Sequence, residues 1–344
     1  MEQYDKTPLI DKLGRKGTDF LGVRYPVISG GMTWISDAKL VKAVHDCGGF
    51  GVLAAGNMPE DLLEAEIVRC NAIGGPYALN LVTIAPNFKA HLDVAVRCRV
   101  PIVIFAGSFP KRQFVDKVKA VGSKAISFAS TLSIAEQQIR YGADALILEG
   151  SEAGGHIGHV SLTILLQQVL FHNPPVPVFV AGGIATGKMI AHMLLMGAAG
   201  CQMGTRFVMS EECGAHPDFK KRFVQARARE AISTPAYDSA RLPVVAVRAL
   251  NNKGMERFGR LQMDLLKQLD AGAIKREEAQ LKVEEYWMGA LRRAVVDGDI
   301  EEGSLMAGQS VGLMDRVQPM REIFAELLGE AEAEALAVRE LLKD

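Results

Sequence analysis

Eight short apolar runs, each followed by a stretch with helix start and stop signals, fill the first two hundred residues and restrict the fold more than any other feature. The runs lie at 25–29, 50–54, 77–82, 101–105, 124–128, 145–149, 178–181 and 200–203. Their hydrophobicity is continuous rather than alternating, as in strands covered on both faces of a parallel sheet. Helices between them open on a side-chain cap or a proline, near Ser36-Asp37, Pro59-Glu60-Asp61 and Thr131. They stop at Gly48-Gly49, Gly74-Gly75, Gly122 and Gly142. Eight such units in about 200 residues predict an α/β fold of the TIM (β/α)8 barrel type. An open doubly wound sheet shares the local pattern and is the alternative. No GxGxxG fingerprint follows the first strand, which disfavours a Rossmann nicotinamide site.

Small and polar residues gather just after the strands, where a barrel places its chemistry. They are Gly30-Gly31-Met32, Asn80, the loop Glu149-Gly150-Ser151-Glu152-Ala153-Gly154-Gly155-His156-Ile157-Gly158, Gly182-Gly183 and Gly204-Thr205-Arg206. Within the long loop, His156 is the side chain best suited to move a proton near neutral pH. Ala181-Gly182-Gly183-Ile184 and Gly204-Thr205-Arg206 follow the seventh and eighth strands, whose loops cradle phosphate in many barrels, with Thr205 adding a hydroxyl. Asn80 interrupts an apolar strand, and its amide would suit a ring edge bearing N–H and C=O groups. Gln309 would serve in the same way. Met32 reads equally as a contact to a flat ring or as core filler.

The chain divides into a barrel at 1–209, a mostly helical insertion or lid at 210–303, and a return to the barrel with a final helix at 304–344. The insertion carries helical spacing at 255–269 and 277–296 and one strand at 243–247. With 39 basic against 40 acidic residues, the net charge of −1 gives no electrostatic case for nucleic acid or membrane. Cys47, Cys70, Cys98, Cys201 and Cys213 are scattered without a CxxC pair, so neither a disulfide framework nor a metal site is expected. Residues 1–18 lack an apolar signal region, and no run reaches membrane-spanning length. A soluble, cytoplasmic protein is expected. His45 and His192 read as ordinary helix residues, and His159 as a solvated loop residue, with assistance to His156 as the alternative. Lys220-Lys221-Arg222 with Arg227 and Arg229 reads first as a solvated helix face, with docking of an acidic carrier as the alternative. Trp34 and Phe207 flank site loops and read as core or as walls of an acyl tunnel.

Tyr25-Pro26 with Gly30-Gly31-Met32, the Glu149–Gly158 loop, Ala181-Gly182-Gly183-Ile184 and Gly204-Thr205-Arg206-Phe207 together resemble the FMN-dependent nitronate monooxygenase and enoyl-acyl-carrier-protein reductase II superfamily. The resemblance spans about residues 20–320. The stretches 289–299 and 303–309, and Ala55-Gly56-Asn57 with Pro59, are more similar to the enoyl reductase branch. The resemblance implies FMN with its phosphate on Gly182, Gly183, Gly204 and Thr205 and its ring against Gly31, Met32, Asn80, Glu149, Gly308 and Gln309. Thr33, Gly155, Ala181 and Met306 complete the implied set, and His156 is the implied catalytic residue. It further implies NADH or NADPH as co-substrate, a trans-2-enoyl-acyl-carrier-protein thioester as substrate, and a homodimer. The alternatives within the same resemblance are oxidation of nitronates with O2 and NAD(P)H-dependent flavin reduction with an unassigned acceptor; a non-catalytic flavin-binding barrel is the other class, disfavoured by the histidine loop. Two departures stand out: Ser29 where relatives often carry Gln, and Phe105-Ala106-Gly107-Ser108-Phe109-Pro110 in place of a Gly-Ala-Gly-Asn-Pro type loop.

Overall fold

In a parallel strand, side chains alternate between the two faces, so each apolar run must divide its residues between the barrel interior and the surrounding helices. The computed structural model, which describes residues 7–234, 237, 240–242 and 244–343, shows that division directly. Strands β1 (Val27–Ser29), β2 (Phe50–Ala54), β3 (Tyr77–Val82), β4 (Ile102–Ala106), β5 (Lys124–Ala129) and β6 (Ala145–Glu149) pair in order. After β7 (Gly155–Ile157), which lies outside the barrel, β8 (Val178–Ala181) and β9 (Gly200–Met203) complete it, β9 closing on β1. This is a closed eight-stranded parallel barrel, as the eight apolar runs predict, and the open sheet is excluded.

Ile28, Phe50, Val52, Ala78, Ile102, Ile104, Ile126, Ala145, Ile147 and Phe179 fill the interior. Their neighbours in sequence, such as Leu79, Leu81, Leu146 and Val180, face outward into the helix layer. Helices α1 (Pro8–Leu13) and α2 (Arg15–Leu21) precede β1, and Phe20 and Leu21 pack against the interior cluster from there. The crossover helices are α3 (Ala38–Asp46), α4 (Glu60–Asn71), α5 (Phe88–Arg97), α6 (Arg112–Lys119), α7 (Leu132–Arg140), α8 (Leu162–Gln168) and α9 (Gly187–Leu195). Asp37, Thr131 and Thr186 cap α3, α7 and α9 through their side chains, which satisfies backbone donors that a helix start leaves free.

After β9 come the short α10 (Thr205–Val208) and α11 (Pro217–Gln225), then β10 (Ala231–Ser233) and β11 (Ala246–Leu250). The strand expected at 243–247 thus lies three residues later, and its first residue, Pro243, falls outside the described residues. β10 was not expected at all. Both strands join β7 in a three-stranded antiparallel sheet, so part of the glycine-rich loop is itself a strand. Helices α12 (Lys253–Asp270) and α13 (Arg276–Val295) build a core of their own with this sheet, around Val247, Phe258, Leu265, Val283 and Trp287.

The final helix α14 (Met320–Leu341) lies along α9. Its Glu332 accepts hydrogen bonds from the N–H groups of Leu9 and Ile10, which ties α1 to the far end of the chain. Gly187, the first residue of α9, sits against α14 so closely that a Cβ there would lie 2.0 Å from the Leu327 carbonyl oxygen. Gly187→Ala is therefore expected to destabilise the protein by about 2–3 kcal/mol, since neither backbone can yield cheaply. A melting curve indistinguishable from that of the parent would refute this contact. No helix among the described residues is long and apolar enough to cross a membrane.

Candidate active site

The inward phase of each strand, carried one step past the apolar core, supplies the floor of a cavity at the C-terminal mouth of the barrel. Ala78 is followed inward by Asn80, Ile147 by Glu149, Ile104 by Ala106 and Ile126 by Phe128, and all four of these residues line a cavity of about 380 Å³. Gln202 reaches it from β9. Gln202 was missed in the sequence, although its alternation with Cys201 and Met203 carried the same signal as Asn80. Its Oε1 is buried without a hydrogen-bond partner. Gly31 permits Asn80 to sit there, because a Cβ at that position would lie 2.5 Å from the Asn80 Cβ.

Burial alone pushes the Glu149 carboxyl up to about 8, with no hydrogen bond or neighbouring charge opposing it. What exposure the side chain has faces the cavity rather than bulk solvent. Near neutral pH the group is therefore a neutral O–H donor.

The loops above the floor are held by backbone geometry. Gly182 and Gly183 follow β8 with φ of +97° and +72°, a left-handed turn that glycine adopts without strain. Among the described residues, no acceptor takes the backbone N–H groups of Gly183, Gly204 or Thr205. The Thr205 hydroxyl accepts the N–H of Gly308 at 3.0 Å, joining the return segment to this loop. Gly154 and Gly308 meet backbone to backbone, and a Cβ on Gly154 would lie 2.5 Å from the Gly308 nitrogen. The second carboxylate of the motif is structural: Glu152 accepts the N–H of Leu162 and fixes the start of α8.

His156 stands on β7, opposite Val247 of β11, and its side chain lines the cavity. Its Nε2 lies 3.2 Å from a carboxylate oxygen of Glu284, misaligned for a hydrogen bond and sealed from solvent. Glu284 belongs to α13, with Trp287, Met288 and Leu291 on the same face at helical spacing. All four line the cavity, and Val245 lies beside them. None of these wall residues was singled out in the sequence, where they look like any other amphipathic helix.

Of the other expected site residues, Gly31, Met32, Thr33, Gly155, Gly182, Gly183, Gly204, Thr205, Met306 and Gly308 line the cavity. Two do not. Ala181 is buried one layer lower in the barrel core, and Gln309 points its side chain to solvent while its N–H bonds to the Glu152 carbonyl. The next residue, Ser310, lines the cavity. Phe207 is fully buried against Phe324, Trp34 lies beneath Arg292, and neither lines the cavity. The expected solvated face at Lys220 is also corrected: the ammonium is buried and donates to the carbonyls of Ser210 and Cys213, while Arg222 pairs with Glu230. His159 is exposed outside the cavity, His192 pairs with Glu334, and His45 packs against Gly75. No group of three His, Cys, Asp or Glu side chains among the described residues is placed to hold a metal ion.

A family model of nitronate monooxygenase matches residues 15–88 and 76–330. The chain belongs to the nitronate monooxygenase family. This family member is 30% identical over 339 residues to a 5-hydroxy-7a-methyl-1-oxo-octahydro-1H-indene-4-carboxyl-CoA dehydrogenase of Mycobacterium tuberculosis, covering 91% of this chain and 95% of the relative. The structure of FabK from Thermotoga maritima superposes with a TM-score of 0.84 at 33% identity, over 94% of this chain and 98% of FabK. Nitroalkane oxidase from Streptomyces ansochromogenes superposes with a TM-score of 0.77 at 26% identity, over 93% and 99%. The chain is thus an oxidoreductase of the superfamily that joins nitronate monooxygenases and FabK.

Proposed function

We propose that the protein is an FMN-dependent, NAD(P)H-linked oxidoreductase that reduces trans-2-enoyl thioesters. The observation that carries this reading is the division of one cavity into a polar floor and an apolar roof. Phe109, Val245, Trp287, Met288 and Leu291 offer far more apolar wall than a small nitronate requires, whereas an acyl chain would bury against it at about 25 cal/mol per Å². The floor fits FMN: the free N–H groups of Gly183, Gly204 and Thr205 suit its phosphate, and the orphaned Gln202 Oε1 with Asn80 and Glu149 suits a ring edge bearing donors and acceptors. When bound, FMN supplies the two-electron relay between the nucleotide and the acyl carbon. His156 holds the proton that passes to the α-carbon of the thioester as hydride reaches the β-carbon.

Acyl carrier protein is the carrier we favour, from the resemblance to the enoyl reductases. Coenzyme A competes with it, because the mycobacterial relative is named for a CoA thioester and the basic run is partly spent on internal contacts. The same reading makes the protein a cytoplasmic homodimer. Nitronate oxidation is the second reading, supported by the family model itself. The test is anaerobic: the flavin is reduced with NADH or NADPH, then mixed with a trans-2-enoyl thioester on either carrier. Rapid reduction followed by reoxidation is the expected result. Failure of both nucleotides, with fast reduction by propyl nitronate, would overturn the reading in favour of the second.

A further inference from the structure

We propose that Glu284, brought in by the lid helix α13, is the positioning residue of His156: it accepts the Nε2 proton and so leaves Nδ1 as the nitrogen that exchanges protons in the cavity. This rests on the reading of His156 as the proton-transfer residue. The geometry behind it has three parts. The Nε2 atom is sealed from solvent and lies 3.2 Å from the carboxylate, whose own side chain is only 13% exposed. No other acceptor among the described residues meets Nε2. His156 nevertheless lines the cavity, with about a quarter of its side chain accessible. One ring nitrogen is therefore enclosed against an acceptor while the rest of the ring faces the ligand space.

A neutral imidazole carries one proton, and the acceptor beside a ring nitrogen decides which nitrogen holds it. Leaving that proton on a buried Nε2 without an acceptor would forfeit the hydration of the N–H with nothing in return. The pairing requires a change of angle at an existing 3.2 Å contact, and such contacts commonly tighten only when a ligand closes the site. Because Glu284 shares a face of α13 with Trp287, Met288 and Leu291, a ligand that packs against the apolar wall also seats the carboxylate on the histidine. Occupation of the roof and orientation of the proton donor are then one event: Nδ1 takes a proton from solvent, the Glu284 carboxylate stabilises the imidazolium through Nε2–H, and the proton passes from Nδ1 to the α-carbon as hydride reaches the β-carbon.

The test uses the flavin-loaded protein with 15N-labelled histidine, His156 being assigned by its loss in His156→Gln. The wild type is expected to show a protonated Nε2 and an unprotonated Nδ1. Glu284→Ala is expected to move the ring to a mixture of tautomers and to lower kcat on trans-2-octenoyl-CoA by on the order of tenfold to a hundredfold, with KM little changed. Glu284→Gln, which keeps an acceptor oxygen, is expected to restore the wild-type nitrogen pattern and most of the rate. Unchanged nitrogen signals in Glu284→Ala would overturn the proposal, as would equal losses in the Ala and Gln variants without a tautomer change. Full turnover by His156→Gln would instead sink the role of the histidine, and the nitrogen signals would still decide the pairing.

Discussion

His156→Gln is expected to lose turnover of enoyl thioesters by about 10²–10⁴-fold, the usual contribution of a positioned acid or base. The substitution removes the titrating ring and keeps a polar side chain of similar reach. The pairing of β7 with β11 runs through backbone groups, so the strand and the cavity wall should survive it. FMN content and the rate of flavin reduction by the nucleotide are expected to be unchanged, because hydride leaves the nicotinamide without help from a protein proton. Stopped-flow measurement of the two half-reactions separates these effects. Undiminished reoxidation by the thioester would remove His156 from the chemistry.

Glu149→Gln is expected to make the ligand-free protein more stable, and only at higher pH. Burial raises this carboxyl to about 8 in the folded chain, against 4.5 in the ordinary case. Between those values the folded state holds a proton that the unfolded state has released, so stability falls as pH rises through the window. Below about 4.5 both states are protonated and nothing is lost; above about 8 the full penalty applies. At ~1.4 kcal/mol per tenfold difference in proton affinity, it reaches a few kcal/mol. Glutamine has nearly the same shape and cannot ionise, so the slope should disappear. Urea denaturation of both proteins at pH 5 and pH 8.5 checks this. A difference between parent and variant that is the same at both pH values would refute a buried, neutral Glu149. Retention of so costly a group is consistent with use of its O–H by a ligand.

The barrel was legible because each strand declares itself locally, by an apolar run between a glycine stop and a helix cap. The cavity floor was legible for the same reason: Asn80 and Glu149 are polar residues in the inward phase of apolar strands. Gln202 obeyed the same rule and was overlooked because β9 spans only four residues and opens on glycine. The roof was not legible. Glu284, Trp287 and Met288 acquire meaning only once α13 is laid over the barrel mouth, and nothing local distinguishes them from a lid helix packed on its own core. The three-residue β10, with Ile232 exposed on it, has too little length to show a period, and Pro243-Val244 drew the β11 strand too early. Gln309 was placed by its glycine-rich neighbours, but the tight turn that begins there sends its side chain outward.

His156 does not ride on the barrel. It stands on a strand whose ladder partners, β11 and then β10, come from the insertion, while the floor beneath it comes from the barrel. The chain that carries His156 thus belongs to the barrel segment, while the strands that hold it and the apolar roof beside it come from one inserted segment. Grafting the 210–303 segment of a relative onto this barrel would exchange the apolar roof and the strands that aim the histidine in one stroke. Chimeras in this family should consequently fail or succeed as whole units, and single wall substitutions should be the gentler route to a new substrate.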